Sequence, residues 1–309
     1  MFDEKDTVIL FGGKHTRYLC EWEITSDLAL VERVMDVRFC SVSTEELMVR
    51  YTSLPEEDQE RATRLAHDLL DLASRNKGNM PPAPSVAQVK EAALLYLAMQ
   101  HYVDEHQAQA VTTICGPWIR GEGRPTPCMA LMLFQEAGIP AACQSDIEAL
   151  ATMILFKRLT GQPSFMGGAI KARGTLGINH CILCRNMTGP EDALQPYVVS
   201  TYHGRKETPT VWTQVPAGET VTVARLTQNL EKLLLFKGSV VASDTHNTRC
   251  RNTLVVDVPD RRRVFKAVKG IQNHYVVACR DHVQALSDWA QAREIQVVRL
   301  DVDGGARIC

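Results

Sequence analysis

What this chain can fold into is constrained most by a change of texture near Tyr197. Ahead of it, short apolar runs such as TVILF (7 to 11), VRFCSVS, AVTTIC and IPAAC alternate with segments of helical spacing. Beyond it, YVVSTYH, TVWTQV, ETVTVARL, KLLLFKGSVV, TLVVDV and NHYVVACR are β-rich runs separated by turn signals that include GRKETP, PAG and VPDRRR. Alternating strands and helices predict a doubly wound, mostly parallel sheet, with ligands beyond the carboxyl ends of its strands. Sequential strands joined by short turns predict antiparallel pairing, as a sheet or a barrel. The expected architecture is α/β: a lobe over 1–185, with a sub-boundary at the linker 75–85 (RNKGNMPPAPS), followed by a β-rich lobe over 186–309.

Local signals sharpen the first lobe. Thr25, Ser26 and Asp27 offer caps to LALVERVM, and Ser85 offers one to VAQVKEAALLYLAMQHYVDEH. The segment 55–74 has apolar spacing through Ala62, Leu65, Ala66, Leu69 and Leu70. MALMLFQEAG stops at Gly138, and DIEALATMILFKRLTG opens at Asp146, a natural helix cap, and closes at Gly161.

Charge and composition exclude several classes of function. The net charge of −2 over 309 residues gives no reason to expect nucleic acid or an anionic membrane as a partner. The arginine run 261–263 is too short to change that and reads as a solvated turn between strands. No apolar span is long enough to cross a bilayer, and the acidic start MFDEKD lacks the layout of a signal peptide, so the expected location is cytoplasmic. The ten cysteines are scattered rather than framed in a short loop-rich chain, which predicts free thiols in a reducing compartment. Cys20, Cys40, Cys128, Cys143, Cys250 and Cys279 read as small packing residues. FGG (11 to 13) is a tight turn without P-loop spacing, and no dinucleotide fingerprint exists.

Between Cys115 and Arg185 the blocks PCMALMLFQEAGIPAACQSD, LTGQPSFMGG and NHC follow in order, and PAGETVTVARL and NHYVVA come later. In order and spacing they resemble the carboxyl-terminal half of the L-fucose isomerase and L-arabinose isomerase family, from about Val8 to Leu300. The resemblance implies a fucose-isomerase-like scaffold that lacks the family's usual first domain, and a homo-oligomer whose partner subunit covers the surface left behind. It implies Mn²⁺ held by carboxylates and a histidine, with a proton moved through an enediol. A family glutamate falls at Gln144 and a second acid at Gly167 or Gly168, so both acids are missing, while His180 and His274 match family histidines. Two lost carboxylates at ~4 Å are each worth on the order of 4 kcal/mol to a cation in a protein-like dielectric, which argues against tight Mn²⁺ binding.

Several chemistries stay open for what remains. His180, Cys181 and Cys184 in HCILC, together with His274, form an N and S donor set suited to Zn²⁺ or Fe²⁺ rather than Mn²⁺. His180 and His274 can act as acid and base without a metal, and the two are expected in one pocket although they sit in different sheets. Cys181 or Cys115 can serve as a thiolate nucleophile if its pKa is depressed. Gln144, Asp146, Cys115, Trp118 and Arg120 are the candidate substrate contacts, the last three on the loop past AVTTIC. Lys14, His15 and Arg17 could meet an anionic ligand, and His203 matches a family histidine before a Gly-rich turn. The expected function is an isomerase-like enzyme acting by proton transfer on a small hydroxylated or carbohydrate-like substrate. A divergent lyase on the same scaffold and a non-catalytic binding or regulatory protein that retains the sugar pocket are the alternatives.

Overall fold

The computed structural model describes residues 5–12, 16–19, 22–74, 83–115, 125–202, 208–227, 229–246, 249–258, 260–269 and 274–301. In the first part β1 (Asp6–Phe11) lies between β4 (Val37–Val42) and β5 (Ala108–Thr113), and β5 pairs with β6 (Ala141–Cys143). All three pairings are parallel, and the helices between the strands supply the long crossovers that parallel neighbours require. Strands β2 (Thr16–Leu19) and β3 (Trp22–Thr25) form a separate hairpin.

The helices begin where their caps dictate. Asp27 accepts from the Leu30 N–H at 3.0 Å to start α1 (Leu28–Met35). Reciprocal capping boxes open α2 (Thr44–Thr52) through Ser43 and Glu46, and α4 (Val86–Glu105) through Ser85 and Gln88. Helix α3 (Glu56–Asp71) packs on α4, α4 packs on α5 (Cys128–Glu136) and β5, and α1 packs on α6 (Ile147–Thr160). Gly161, at φ 68°, takes the left-handed conformation that closes α6.

The β-rich part is a barrel. Its strands run β11 (Thr220–Leu226), β14 (His274–Cys279), β7 (Phe165–Ala172), β8 (Thr175–His180), β13 (Asn252–Asp257) and β12 (Lys232–Asp244), each antiparallel to its neighbours. The circle closes where β12 pairs with β11 from Thr220↔Ser239 to Leu226↔Leu233. A seventh strand, β15 (Gln296–Arg299), adds to β12 in parallel after α8 (Val283–Gln291). The hairpin β9 (Tyr197–Thr201) and β10 (Pro209–Thr213) forms its own two-stranded sheet; Tyr197 Oη donates to Leu69 O at 3.0 Å, and the Thr213 N–H donates to Asn252 Oδ1 at 2.9 Å.

Several expectations need correction. The change of sheet falls between Thr160 and Phe165, not at 185, because the two-residue turn Arg173-Gly174, both at positive φ, folds β7 and β8 into the barrel's first hairpin. His180 and His274 therefore share one sheet. The strand ends at His180, and the carbonyls of the CILC segment after it are taken by side chains: Cys181 O by Thr210 Oγ1 at 2.9 Å and Ile182 O by Gln135 Nε2 at 2.8 Å. Arginines 261–263 form the first turn of α7 (Arg261–Lys269) rather than a turn between strands, since Asp260 accepts from the Arg263 N–H at 2.9 Å.

One hydrophobic cluster runs through both parts. Helix α6 joins them, packing on β5 and β6 in one direction and on β11 and β14 in the other. Among the described residues no helix is long and apolar enough to cross a membrane.

Candidate active site

The amino terminus of α6 is set by an unusual turn. Gln144 and Ser145, consecutive residues with side chains, both hold left-handed backbone angles, φ 62° and 52°, a conformation L-residues adopt only when their surroundings enforce it. The turn brings Asp146, fully buried, over the end of the barrel. Its Oδ1 accepts the Ala149 N–H at 3.0 Å and Arg225 Nη2 at 2.8 Å, while its Oδ2 lies 2.9 Å from His274 Nδ1. Glu148 places its Oε2 3.7 Å from the same Arg225 nitrogen. Arg225, Asp146 and Glu148 are all removed from solvent, and the guanidinium places a positive charge beside both carboxyl groups.

His180 ends β8 and His274 opens β14, with β7 between them. Their rings lie 5.4 Å apart, centre to centre, at 58°. Gly167 on the intervening strand has no room for a side chain: a Cβ there would stand 2.8 Å from Ile178 Cγ2 and 3.0 Å from the Asn179 backbone.

The hydrogen bonds of the two rings are opposite in sense. His180 Nδ1 accepts the Cys181 N–H at 2.9 Å, so in the neutral ring the proton sits on Nε2. His274 Nδ1 faces a carboxylate and carries the proton, which leaves the lone pair on Nε2. One imidazole is thus set to give a proton and the other to take one. This arrangement suits general acid–base chemistry.

Other residues named from the sequence fall elsewhere. Gln144 is exposed on its strained turn. Asp146 is both the helix cap and the partner of His274. Burial pushes the Cys181 thiol well up, with Cys128 and Cys250 beside it, and its Sγ receives the Arg251 N–H at 3.3 Å. Burial raises Cys184 likewise, and its charged neighbour is Glu136. Protonated buried thiols are poor nucleophiles, which weighs against Cys181 as one. Cys115 is half-buried at the end of β5, where its hydrogen bond raises the Cys143 thiol. Trp118, Arg120, Lys14, His15, the Arg17 side chain and His203 lie outside the described residues.

The donor set does not suit the family's Mn²⁺. Gln144 offers an amide dipole from an exposed side chain, Gly167 admits no acid, and Asp146 is engaged by Arg225, Ala149 and His274. Nor does Cys184 join the histidines in a Zn²⁺ or Fe²⁺ set: among the described residues no three His, Cys, Asp or Glu side chains converge closely enough to hold a metal. A cavity of about 370 Å³ opens at the opposite, amino-terminal ends of β1 and β5, where Asp6 and Arg158 are already paired at 2.5 Å.

Arg225 and Glu148 were not named as site residues from the sequence. A lone arginine closing the apolar run TVTVARL was the signal available, but its partner is 79 residues away.

No family model matches the chain. It is similar to a protein named sulfoquinovose isomerase from Clostridium sp. (strain MSTE9), 28% identical over 266 residues that take in 80% of this chain and 56% of that relative. It is also similar to a protein of the same name from Alkalicoccus urumqiensis, 24% identical over 231 residues, covering 70% of this chain and 49% of the relative. The chain spans about half the length of these curated relatives, and both are named as sugar isomerases.

Proposed function

We propose that this chain carries the acid–base centre of a fucose-isomerase-like sugar isomerase that interconverts an aldose and a ketose by proton transfer. The observation that carries the reading is the opposed pair His180 and His274, the latter held by Asp146 at 2.9 Å. Similarity to proteins named sulfoquinovose isomerase supports the sugar class and makes a sulfonated hexose the first substrate to test.

In this reading His274 Nε2 removes the proton from C2 of the open-chain aldose while the His180 Nε2 proton goes to the C1 carbonyl oxygen, giving an enediol. The C2 hydroxyl proton then returns to His180, and the proton on His274 is delivered to C1, leaving a ketose and both rings as they began. Asp146 stabilises the imidazolium that forms on His274, as a buried carboxylate behind a general base does. Arg225 holds Asp146 in place. Trp118 and Arg120 are the proposed contacts to the sugar and its anionic group, and the active form is proposed to be a homo-oligomer.

The test is to incubate the purified chain with sulfoquinovose, fucose or arabinose in D₂O and follow the sugar by NMR. The expected result is ketose carrying deuterium at C1, formed from the sulfonated hexose and persisting after EDTA treatment. Conversion that EDTA abolishes and Mn²⁺ restores would overturn the metal-free mechanism. Binding of the sugar without conversion or exchange would favour the non-catalytic reading.

A further inference from the structure

Three thiols meet beside His180 and take no part in the proposed proton transfers. Cys181 and Cys128 are buried, 1% and 3% exposed, and Cys250 is half-buried. Cys181 Sγ accepts the Arg251 N–H at 3.3 Å, so it lies against the peptide that joins Arg251 to Cys250, and its thiol is in hydrogen-bond contact with those of Cys250 and Cys128. Strands β8 and β13 pair with Asn252 opposite His180. Cys181 and Cys250 therefore both lie just past the paired stretch, where the backbone can adjust to the Cβ separation of about 3.5 to 4.5 Å that a disulfide requires.

Access and charge distinguish the three. Cys250 is the one that reaches solvent, whereas Cys128 is enclosed and receives Thr126 Oγ1 at 3.3 Å. Arg251 carries its guanidinium, itself fully buried, close to both the Cys181 and the Cys250 thiol. A cation beside a thiol favours the thiolate, which is the form that attacks a peroxide. We propose that Cys250 and Cys181 are an oxidation site, joined as a disulfide when the protein meets hydrogen peroxide. In the first step the Cys250 thiolate attacks one peroxide oxygen and the O–O bond breaks. The sulfur is oxidised to the sulfenic acid, and the hydroxide that leaves takes up the proton the thiol gave, as water. In the second step the Cys181 sulfur attacks the sulfenic sulfur, the S–S bond forms, and the hydroxyl leaves with the Cys181 proton as a second water. A protonated thiol is a weak nucleophile toward a molecule in solution, but contact with the target sulfur raises its effective concentration by orders of magnitude.

The consequence for the acid–base centre rests on the proposed function. The Cys181 N–H is the donor that keeps His180 Nδ1 an acceptor, at 2.9 Å. Drawing Cys181 toward Cys250 turns that N–H away from the ring, and the Nε2 proton that His180 gives is no longer fixed in place. Oxidation thus switches off the acid of the pair, and reduction of the disulfide restores it.

The experiment is to treat the full chain with hydrogen peroxide, quench with catalase, alkylate under denaturing conditions and digest with trypsin. Trypsin releases Cys250 in the dipeptide Cys250-Arg251 and Cys181 in the segment 174–185. The expected result is a disulfide-linked species of these two, with fragment ions that put the bond on Cys181 rather than Cys184, and its loss on treatment with dithiothreitol. Deuterium exchange into the sugar should fall by about 10²-fold as the bond forms, the lower end for loss of a general acid, and should recover on reduction. Cys250→Ser should show the parent's rate before treatment and, after it, neither the linked species nor the loss of rate. Cys250 left reduced, Cys250 carried to the sulfinic acid without a bond, or a bond from Cys181 to Cys128 would each overturn the proposal. The linked species is read by mass, so the oxidation site stands or falls whether or not the chain acts on a sugar. Formed in an active chain without a change of rate, it would overturn the coupling to His180.

Discussion

Asp146→Asn separates what the buried carboxylate does for the fold from what it does for the chemistry. Asparagine caps a helix as well as aspartate does, so the bond to the Ala149 N–H survives. Arg225 Nη2 and the Ala149 N–H are both donors to one atom, which pins the amide oxygen toward them and turns the new NH₂ group to His274. Two donors then face each other across 2.9 Å unless the imidazole moves its proton from Nδ1 to Nε2. The base is thereby lost, and kcat is expected to fall by about 10²- to 10⁴-fold, the usual range for general acid–base catalysis. Stability should fall too, since removing one partner of a buried pair costs about 3 to 5 kcal/mol. Glu148, 3.7 Å from Arg225, remains as a counter-charge and holds the loss to about 3 kcal/mol or less. The assay is deuterium exchange into the sugar by NMR beside urea unfolding of the same preparation. The reasoning is refuted if the variant keeps more than about a tenth of the parent rate.

His180→Ala should lower kcat by about 10²-fold or more with a smaller proportional change in the urea midpoint; a midpoint shift without a rate effect would make the ring structural. Gly167→Ala should destabilise by about 1 to 3 kcal/mol, measured by urea unfolding, as its Cβ cannot avoid Ile178 and the Asn179 backbone. Cys181 and Cys184 should resist a thiol reagent in the native protein and react on unfolding, since burial keeps both protonated; fast native labelling located to either by mass spectrometry would contradict this. Burial lowers the pKa of His282, whose neutral ring donates from Nε2 to Cys279 O at 2.8 Å. Its contribution to stability is therefore full above about 6.5, the unfolded value, and is lost as pH falls toward the lower folded value. Unfolding free energies at pH 7.5 and 5.5 should differ less in His282→Gln.

Much of the scaffold is legible because caps and strand patterns are local. Ser85, Asp146 and Gly161 announce the ends of α4 and α6 in the sequence, and ETVTVARL and NHYVVACR announce two barrel strands. The membership of β7 in the barrel is not local: FMGG and the strand after it could pair with either sheet, and only the register of β7 with β14 decides. The same limit applies to the site. His180 and His274 can be singled out by the blocks around them, but the hydrogen bonds that fix their opposite tautomers come from a backbone N–H and from a carboxylate 128 residues away. HCILC has the spacing of a metal site, yet past His180 the chain leaves the sheet and its thiols turn into packing.

Because α6 is a wall of both the parallel sheet and the barrel, neither part has a complete core without it. Separating them would strip a helix whose residues from Ile147 to Phe156 are all buried. Slow hydrogen exchange should accordingly extend across both parts with one common opening energy, as in a single cooperative unit. A cut or an insertion between Thr160 and Phe165 would then unfold the whole protein rather than release two halves.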